Sequence, residues 1–263
     1  MAKVKVRAEI LSQECLCGDI YSMWLNVPQI ASQSVPGQFV DLYSRDGSRL
    51  LPRPISLCEI RRAEGRLRLV YRVAGAGTKE FSQMKAGDWL EVLGPLGNGF
   101  PMDEAEGKGA FLIGGGIGIP PMLELAKELA GRYGREHVTA VLGYRDSQLF
   151  LKEEFEPFAK VYVATEDGSI GTKGNVLDAI RAEGLTAKVL YACGPTPMLR
   201  ALKAYGGETG IPCWISLEEK MACGIGACLA CVCQSKDVDG HSHVHNKRIC
   251  KDGPVFLADE IEL

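Results

Sequence analysis

The stretch Ile113-Gly114-Gly115-Gly116-Ile117-Gly118-Ile119-Pro120-Pro121 decides the fold. An apolar run (110–113) enters it and an amphipathic segment (121–133) leaves it, so it reads as a strand–loop–helix joint. Glycines at 114, 115, 116 and 118 let a pyrophosphate approach the backbone and the positive end of the following helix. The two prolines suit a first helical turn, whose N–H groups lack partners anyway. A strict G-x-G-x-x-G would end on glycine where Ile119 stands, so a plain tight turn is the rival reading.

Downstream the alternation continues. Apolar runs at 138–143, 161–165 and 189–193 are separated by helical segments at 175–183 and 197–205, which predicts βαβ units and a parallel sheet. Cys193-Gly194-Pro195-Thr196-Pro197-Met198 follows the last run and opens another helix. Two such joints at the C-terminal ends of parallel strands are where open α/β sheets bind nucleotides. After the second strand comes Tyr144-Arg145-Asp146. An arginine accepts a 2′-phosphate, but the neighbouring aspartate repels one, so these residues leave NAD and NADP both open.

Upstream, beyond a polar and turn-rich link at 99–107, the period changes to two. Val4-Lys5-Val6-Arg7-Ala8-Glu9-Ile10 and Leu67-Arg68-Leu69-Val70-Tyr71-Arg72-Val73 alternate, and the only helical candidate lies around 78–85. A small antiparallel barrel is expected over 1–102, an α/β domain over 103–210 and a distinct segment over 211–263. Within the barrel, Arg53-Pro54-Ile55-Ser56 offers a cation, a rigid turn and a hydroxyl at a strand end. Gly75-Ala76-Gly77-Thr78 offers an anion-sized backbone concavity.

The last 41 residues hold five of the ten cysteines. Cys223, Cys228 and Cys231 have the spacing C-x4-C-x2-C, with Cys250 beyond 18 further residues, the plant-type [2Fe–2S] ligand pattern. Gly224 and Gly226 let the loop wrap closely enough to aim N–H groups at sulfur. Structural zinc is the rival, but it takes two separated C-x2–4-C pairs, and here the far ligand is single. Cys233 is expected to be a buried spare thiol, and His241, His243 and His245 to sit on a solvated loop.

Composition bounds the rest. The 263 residues suit about two domains at roughly 150 each. Lys+Arg 30 against Asp+Glu 33 gives −3, leaving no broad basic field for nucleic acid or an anionic membrane. The uncharged stretch 109–123 carries five glycines and two prolines and is short of the ~20 apolar residues of a membrane span. Lys3, Lys5, Arg7 and Glu9 interrupt any secretory segment, so a cytoplasmic protein with reduced thiols is expected. No Ser/His/Asp set or carboxylate pair suggests a catalytic acid or base.

Taken together, R-P-x-S, G-x-G-T, GGGIG and CGP resemble the ferredoxin–NADP reductase superfamily. Met221-Ala222-Cys223-Gly224-Ile225-Gly226-Ala227-Cys228 and Arg248-Ile249-Cys250-Lys251-Asp252-Gly253-Pro254-Val255-Phe256 resemble its branch of dihydroorotate dehydrogenase B electron-transfer subunits, and the resemblance covers essentially the whole chain. It implies FAD at Arg53, Pro54, Ile55, Ser56, Val70, Tyr71, Arg72, Gly77 and Thr78, with Ser56 facing the isoalloxazine edge and Arg72 and Thr78 holding phosphate. It implies NAD at Gly114, Gly115, Gly116, Gly118, Cys193, Gly194 and Pro195, and [2Fe–2S] on Cys223, Cys228, Cys231 and Cys250. The implied partner is an FMN-containing catalytic barrel in a two-plus-two heterotetramer of pyrimidine biosynthesis. A related subunit passing NAD(P)H electrons to ferredoxin or sulfur species is the alternative. A non-enzymatic iron–sulfur sensor is a third, and retention of both the flavin and nicotinamide loops speaks against it.

Overall fold

The computed structural model describes residues 2–107, 109–238, 240 and 243–263, so His241 lies outside the described residues. Two compact units emerge. One joins Met1–Gly99 to Glu218–Val232 and Arg248–Pro254, and the other joins Phe100–Leu217 to Cys233–Lys247 and Val255–Leu263.

In the first unit, β1 (Val4–Cys17), β2 (Ile20–Asn26), β3 (Phe39–Tyr43), β4 (Arg53–Arg61), β5 (Arg66–Arg72) and β6 (Trp89–Leu96) close an antiparallel barrel. Their order around it is β1-β2-β5-β4-β3-β6. Helices α1 (Pro28–Ala31) and α2 (Ala76–Ser82) complete the unit's N-terminal part. Alternation sets the inside: Ala8, Ile10, Met23, Leu25, Val40, Leu42, Leu67, Leu69 and Tyr71 share one core. β1 runs well past the expected 4–10. Register shifts between Ile10 and Ser12 and between Cys15 and Cys17 bend it, so it keeps pairing with β2 around the barrel.

A buried ion pair sits in this wall. Arg68 Nη1 lies 2.6 Å from Glu59 Oε1, both side chains only 6% exposed, and Arg68 Nε donates to Ser22 Oγ at 2.9 Å. Removing one member of such a pair leaves a buried, uncompensated charge. Arg68→Met should therefore cost about 3–5 kcal/mol, while the double change Glu59→Leu/Arg68→Met should recover most of it. Urea unfolding checks this, and a single change under about 1 kcal/mol would contradict it.

In the second unit, β7 (Ala110–Gly115), α3 (Pro120–Tyr133), β8 (Val138–Tyr144), α4 (Lys152–Phe155), β9 (Lys160–Thr165), β10 (Thr172–Lys173), α5 (Val176–Ala182), β11 (Val189–Cys193), α6 (Thr196–Thr209) and β12 (Cys213–Ser216) alternate as expected. Further on, β13 (Val232–Gln234) pairs with β14 (Asn246–Arg248), then α7 (Ile249–Asp252) and β15 (Val255–Leu257) follow. The sheet order is β10-β9-β8-β7-β11-β12-β15, parallel except for β15, which runs antiparallel to β12. Two elements differ from expectation. Helix α6 continues to Thr209 instead of ending at 205, through Gly206. A Cβ there would lie 2.9 Å from Ile211 O and 3.2 Å from Cys213 Cβ, so glycine permits the helix to press against its own return strand. And β12 and β15, from the segment that fits neither pattern, extend the sheet. No helix among the described residues is long and apolar enough to cross a membrane.

Candidate functional site

The barrel residues gather at the start of β4, the end of β5 and the first turn of α2. Arg53 reaches over Gly77: a Cβ on Gly77 would lie 2.5 Å from Arg53 Nε. Thr78 Oγ1 accepts N–H bonds from Ala74 (2.9 Å) and Gly75 (3.2 Å), fixing the turn that opens α2. First-turn N–H groups of a helix have no partner within it, so a guanidinium beside such a turn suits a diphosphate. Arg72 is part exposed and 3.6 Å from Asp19. Pro54 and Ser56 are half-buried on β4, and Val70 is buried on β5. Tyr71 turns the other way. Its ring stacks on Tyr21 (centroids 6.1 Å apart) and its hydroxyl accepts from Gln13 Nε2 at 2.9 Å, so only its backbone faces away from the core. Ile55 likewise packs against the barrel core.

The nicotinamide loops interlock. β7 and β11 are parallel neighbours with Gly114 opposite Cys193, which brings both joints together at the C-terminal ends of adjacent strands. A Cβ on Gly118 would lie 2.3 Å from Cys193 O, and one on Gly115 would lie 2.6 Å from Met198 Sδ and 3.1 Å from Pro195 Cδ. Gly116 has φ +52° and Gly194 φ +157°, both awkward for an L side chain. These glycines keep backbone open at a helix start, the requirement for a dinucleotide pyrophosphate. Beyond β8, Arg145 is exposed, while Asp146 Oδ1 accepts the Gln148 N–H at 2.9 Å.

The four cysteines all belong to the barrel unit. Cys223 Sγ accepts N–H bonds from Ala227 (3.3 Å) and Ile225 (3.5 Å). Desolvation opposes its ionisation, but these bonds and the Cys228 thiol and amide bring it down to about 6. Cys250 N–H donates to Cys231 Sγ at 3.4 Å. Burial, then the hydrogen bond and charge of Cys231, push the Cys250 thiol up to about 12. Among the described residues no three His, Cys, Asp or Glu side chains close on one point as a single metal ion requires. Hydrogen bonds link Cys228 to Cys223 and Cys231 to Cys250, and the charge of Cys223 also reaches Cys250. A [2Fe–2S] rhomb asks for two protein ligands on each iron, so two pairs fit it where a lone zinc would want four converging sulfurs. Gly224 (φ +65°) and Gly226 (φ +84°) make the wrap possible. Cys233 is half-buried on β13, its thiol donating to Lys247 O at 3.5 Å. His243 and His245 are exposed.

Sequence reasoning passed over two residues. Arg248 donates through its N–H and Nε to Asp252 Oδ2 and through Nη1 to Gly226 O (3.3 Å), clamping α7 to the cysteine loop. The signal was its i,i+4 spacing from Asp252. Asp41 is fully buried, and neither carboxylate oxygen has a hydrogen-bond partner. Burial, then the neighbouring Cys223, pushes its carboxyl up to about 7. Its signal was an acid inside the apolar run Phe39-Val40-Asp41-Leu42.

Comparison with known proteins matches three domains along the chain. An oxidoreductase FAD-binding domain matches residues 7–100, an oxidoreductase NAD-binding domain 112–204, and the iron–sulfur cluster binding domain of dihydroorotate dehydrogenase B 218–262. A relative from Geobacillus thermodenitrificans, named dihydroorotate dehydrogenase B (NAD(+)), electron transfer subunit, is 45% identical over 260 residues, 98% of each chain. One of the same name from Bacillus cereus is 43% identical over 258 residues, 97% of each. Among solved structures, a chain of an NADH-dependent reduced ferredoxin-NADP oxidoreductase superposes with TM-score 0.85 at 32% identity, covering 97% of this chain and 89% of that one. A ferredoxin NADP+ reductase from Neisseria gonorrhoeae (TM-score 0.66, 18% identity, 82% and 94% covered) shares the fold.

Proposed function

This chain belongs to the family of dihydroorotate dehydrogenase B electron-transfer subunits, and we propose that it passes electrons from a separate dihydroorotate-oxidising subunit to NAD in cytoplasmic pyrimidine biosynthesis. Its domains are those of an NAD-linked flavin and iron–sulfur oxidoreductase subunit. When bound, FAD and the cluster supply the exchange between two-electron and one-electron carriers that nicotinamide and iron–sulfur chemistry require. The chain's own residues do the holding. Arg53, Gly77 and Thr78 would grip the flavin's diphosphate, with Arg72 beside them. Gly114 to Gly118 and Cys193 to Pro195 would seat the nicotinamide dinucleotide. Cys223, Cys228, Cys231 and Cys250 would ligate the irons.

The observation that carries this reading is the pair of thiol couples on the flavin-type barrel, with one side open. Cys228 is exposed while Cys231 and Cys250 are buried. Around it stand Ile225, Leu229 and Val232, at 45%, 54% and 39% exposure. Leu229 also has φ +57°, a conformation a leucine adopts at a cost of ~1–2 kcal/mol. Apolar surface at a redox edge marks a protein interface. The proposed occupant is an FMN-containing catalytic barrel, in a two-plus-two assembly. Neither of the two units described is a (β/α)8 barrel, which takes ~250 residues, so the proposed substrate site is assigned to that partner.

Copurification with such a partner followed by an assay of NAD reduction by dihydroorotate tests the reading. The complex should be active and the isolated chain inactive; activity of the isolated chain would overturn it. Leu229→Glu should weaken partner binding by about tenfold or more. NADH-to-dye activity should stay within about twofold, because the change lies on the surface. A Leu229→Glu chain that assembles normally would refute the proposed face. The 32% identity to the ferredoxin-NADP oxidoreductase chain favours the second reading, a subunit serving ferredoxin. NADH-driven ferredoxin reduction without dihydroorotate activity would select it.

A further inference from the structure

We infer that Leu50 and Leu51 form the seat for the adenosine arm of FAD, a purine nucleoside site beside the diphosphate grip. This rests on the proposed hold of Arg53, Gly77 and Thr78 on the flavin's diphosphate and adds to it. Leu50 is the most exposed large apolar side chain among the described residues, at 82%, and Leu51 follows at 54%. One exposed leucine needs no explanation, but two in succession on an anchored loop do.

The pair is bracketed by two arginines that reach the same short helix. On one side, Arg49 Nη1 donates to Ala76 O at 3.2 Å and to Glu80 Oε2 at 2.7 Å, both on α2. On the other, Arg53 lies over Gly77 in the first turn of α2. Glu80 also accepts from Ser44 Oγ and from the Arg45 N–H, the latter at 2.7 Å. Asp46 Oδ1 accepts the Ser48 N–H at 2.9 Å and its hydroxyl at 2.7 Å. Residues 44–53 are therefore a braced loop, and its leucines stand at the edge of the turn that would hold the diphosphate.

The reach suits a nucleoside. Two and three residues of chain span at most ~7 and ~11 Å, so a ribose and base leaving a diphosphate at Arg53 can meet Leu51 and Leu50. With the isoalloxazine set toward Ser56 on β4, as expected above, the dinucleotide's other arm leaves Arg53 toward these leucines. A purine has flat apolar faces, and laying one on leucyl side chains takes both surfaces out of water. Because the loop is braced before the cofactor arrives, little ordering is lost on binding.

The test titrates the full chain, iron in place and flavin removed, with FAD and with FMN, which lacks the adenosine arm, by flavin fluorescence. The unaltered chain should hold FAD about tenfold or more tighter than FMN, and Leu50→Ser/Leu51→Ser should loosen FAD about tenfold and FMN by less than about twofold. Leu50→Met/Leu51→Met keeps the apolar contact and should stay within about twofold for both flavins. Unchanged FAD affinity in the serine variant would overturn the inference, whether or not its binding to a partner subunit falls. Equal loosening of FAD and FMN would overturn it too, as would FMN held as tightly as FAD by the unaltered chain. If FMN is too weak to titrate, ADP and inorganic pyrophosphate are read as competitors of FAD in its place. The serine variant should then lose ADP competition about tenfold and keep that of pyrophosphate, and equal loss of both would overturn the inference. An Arg53→Ala chain that loosens neither flavin would overturn the diphosphate grip itself, whereas an Arg53-dependent site indifferent to residues 50 and 51 overturns only this inference.

Discussion

Cys250→Ser should yield a yellow protein stripped of its brown component. Iron and acid-labile sulfide should fall by at least about tenfold, because the soft thiolate that selects iron–sulfur is replaced by a hard hydroxyl. FAD should remain, since Arg53, Gly77 and Thr78 sit at the β4 start and α2, away from the Cys231–Cys250 couple in sequence and in contacts. NADH-to-dye activity should hold within about twofold, while dihydroorotate-driven NAD reduction in the complex falls by about 100-fold or more. Cys233→Ser is the control. That thiol is engaged with Lys247 O and belongs with the other unit, so its loss should leave iron in place. Metal and sulfide analysis decides it, and equal iron loss from both variants would show the ligand set to be wrong.

Gly118→Ala should abolish reduction by NADH while sparing the other two centres. The added methyl would lie 2.3 Å from Cys193 O and 2.5 Å from Gly194 N, backbone atoms that cannot swing away as a side chain could. The two nicotinamide loops must then part, and a displacement of about 1 Å is enough to cost ~100-fold in rate. FAD and iron contents should match the unaltered protein, because their residues belong to the barrel unit. The reciprocal change, Arg53→Ala, should weaken FAD retention by about tenfold and leave nucleotide binding intact. Stopped-flow flavin reduction with FAD and iron assays separates these outcomes. A Gly118→Ala protein reduced at the normal rate would refute the cradle.

Much of this was written in local pattern. Two-residue alternation over 4–10 and 67–73 gave the barrel, and strand–helix alternation from 110 gave the sheet. The cysteine spacing is the ground on which the four thiols are proposed as the donor set. Tyr71 lies on the face of Leu67 and Leu69, and its side chain packs in the core. What was illegible depends on distant partners. Cys213-Trp214-Ile215 and Val255-Phe256-Leu257 are too short to show a period, so their pairing at the sheet edge could not be read. The helix through Gly206 depends on a contact with the following strand. Asp41 looks like a surface residue until the loop at 224, nearly two hundred positions away, is laid over it.

That last feature bears on how the chain is made. The barrel strands end at Leu96, but the segment covering their outer face begins at Glu218, with the 118 residues Phe100–Leu217 between them. At about 5–20 residues per second on the ribosome, the finished barrel waits roughly 6–24 seconds before its cover emerges. Throughout that interval the face carrying Phe39 and Leu96 stands open to solvent. An aspartate in its middle has the place of the gatekeeper charges that oppose adhesion of exposed strands to other chains. The same carboxyl thus has two lives: solvated and repelling during synthesis, buried beside sulfur once the C-terminal loop has closed.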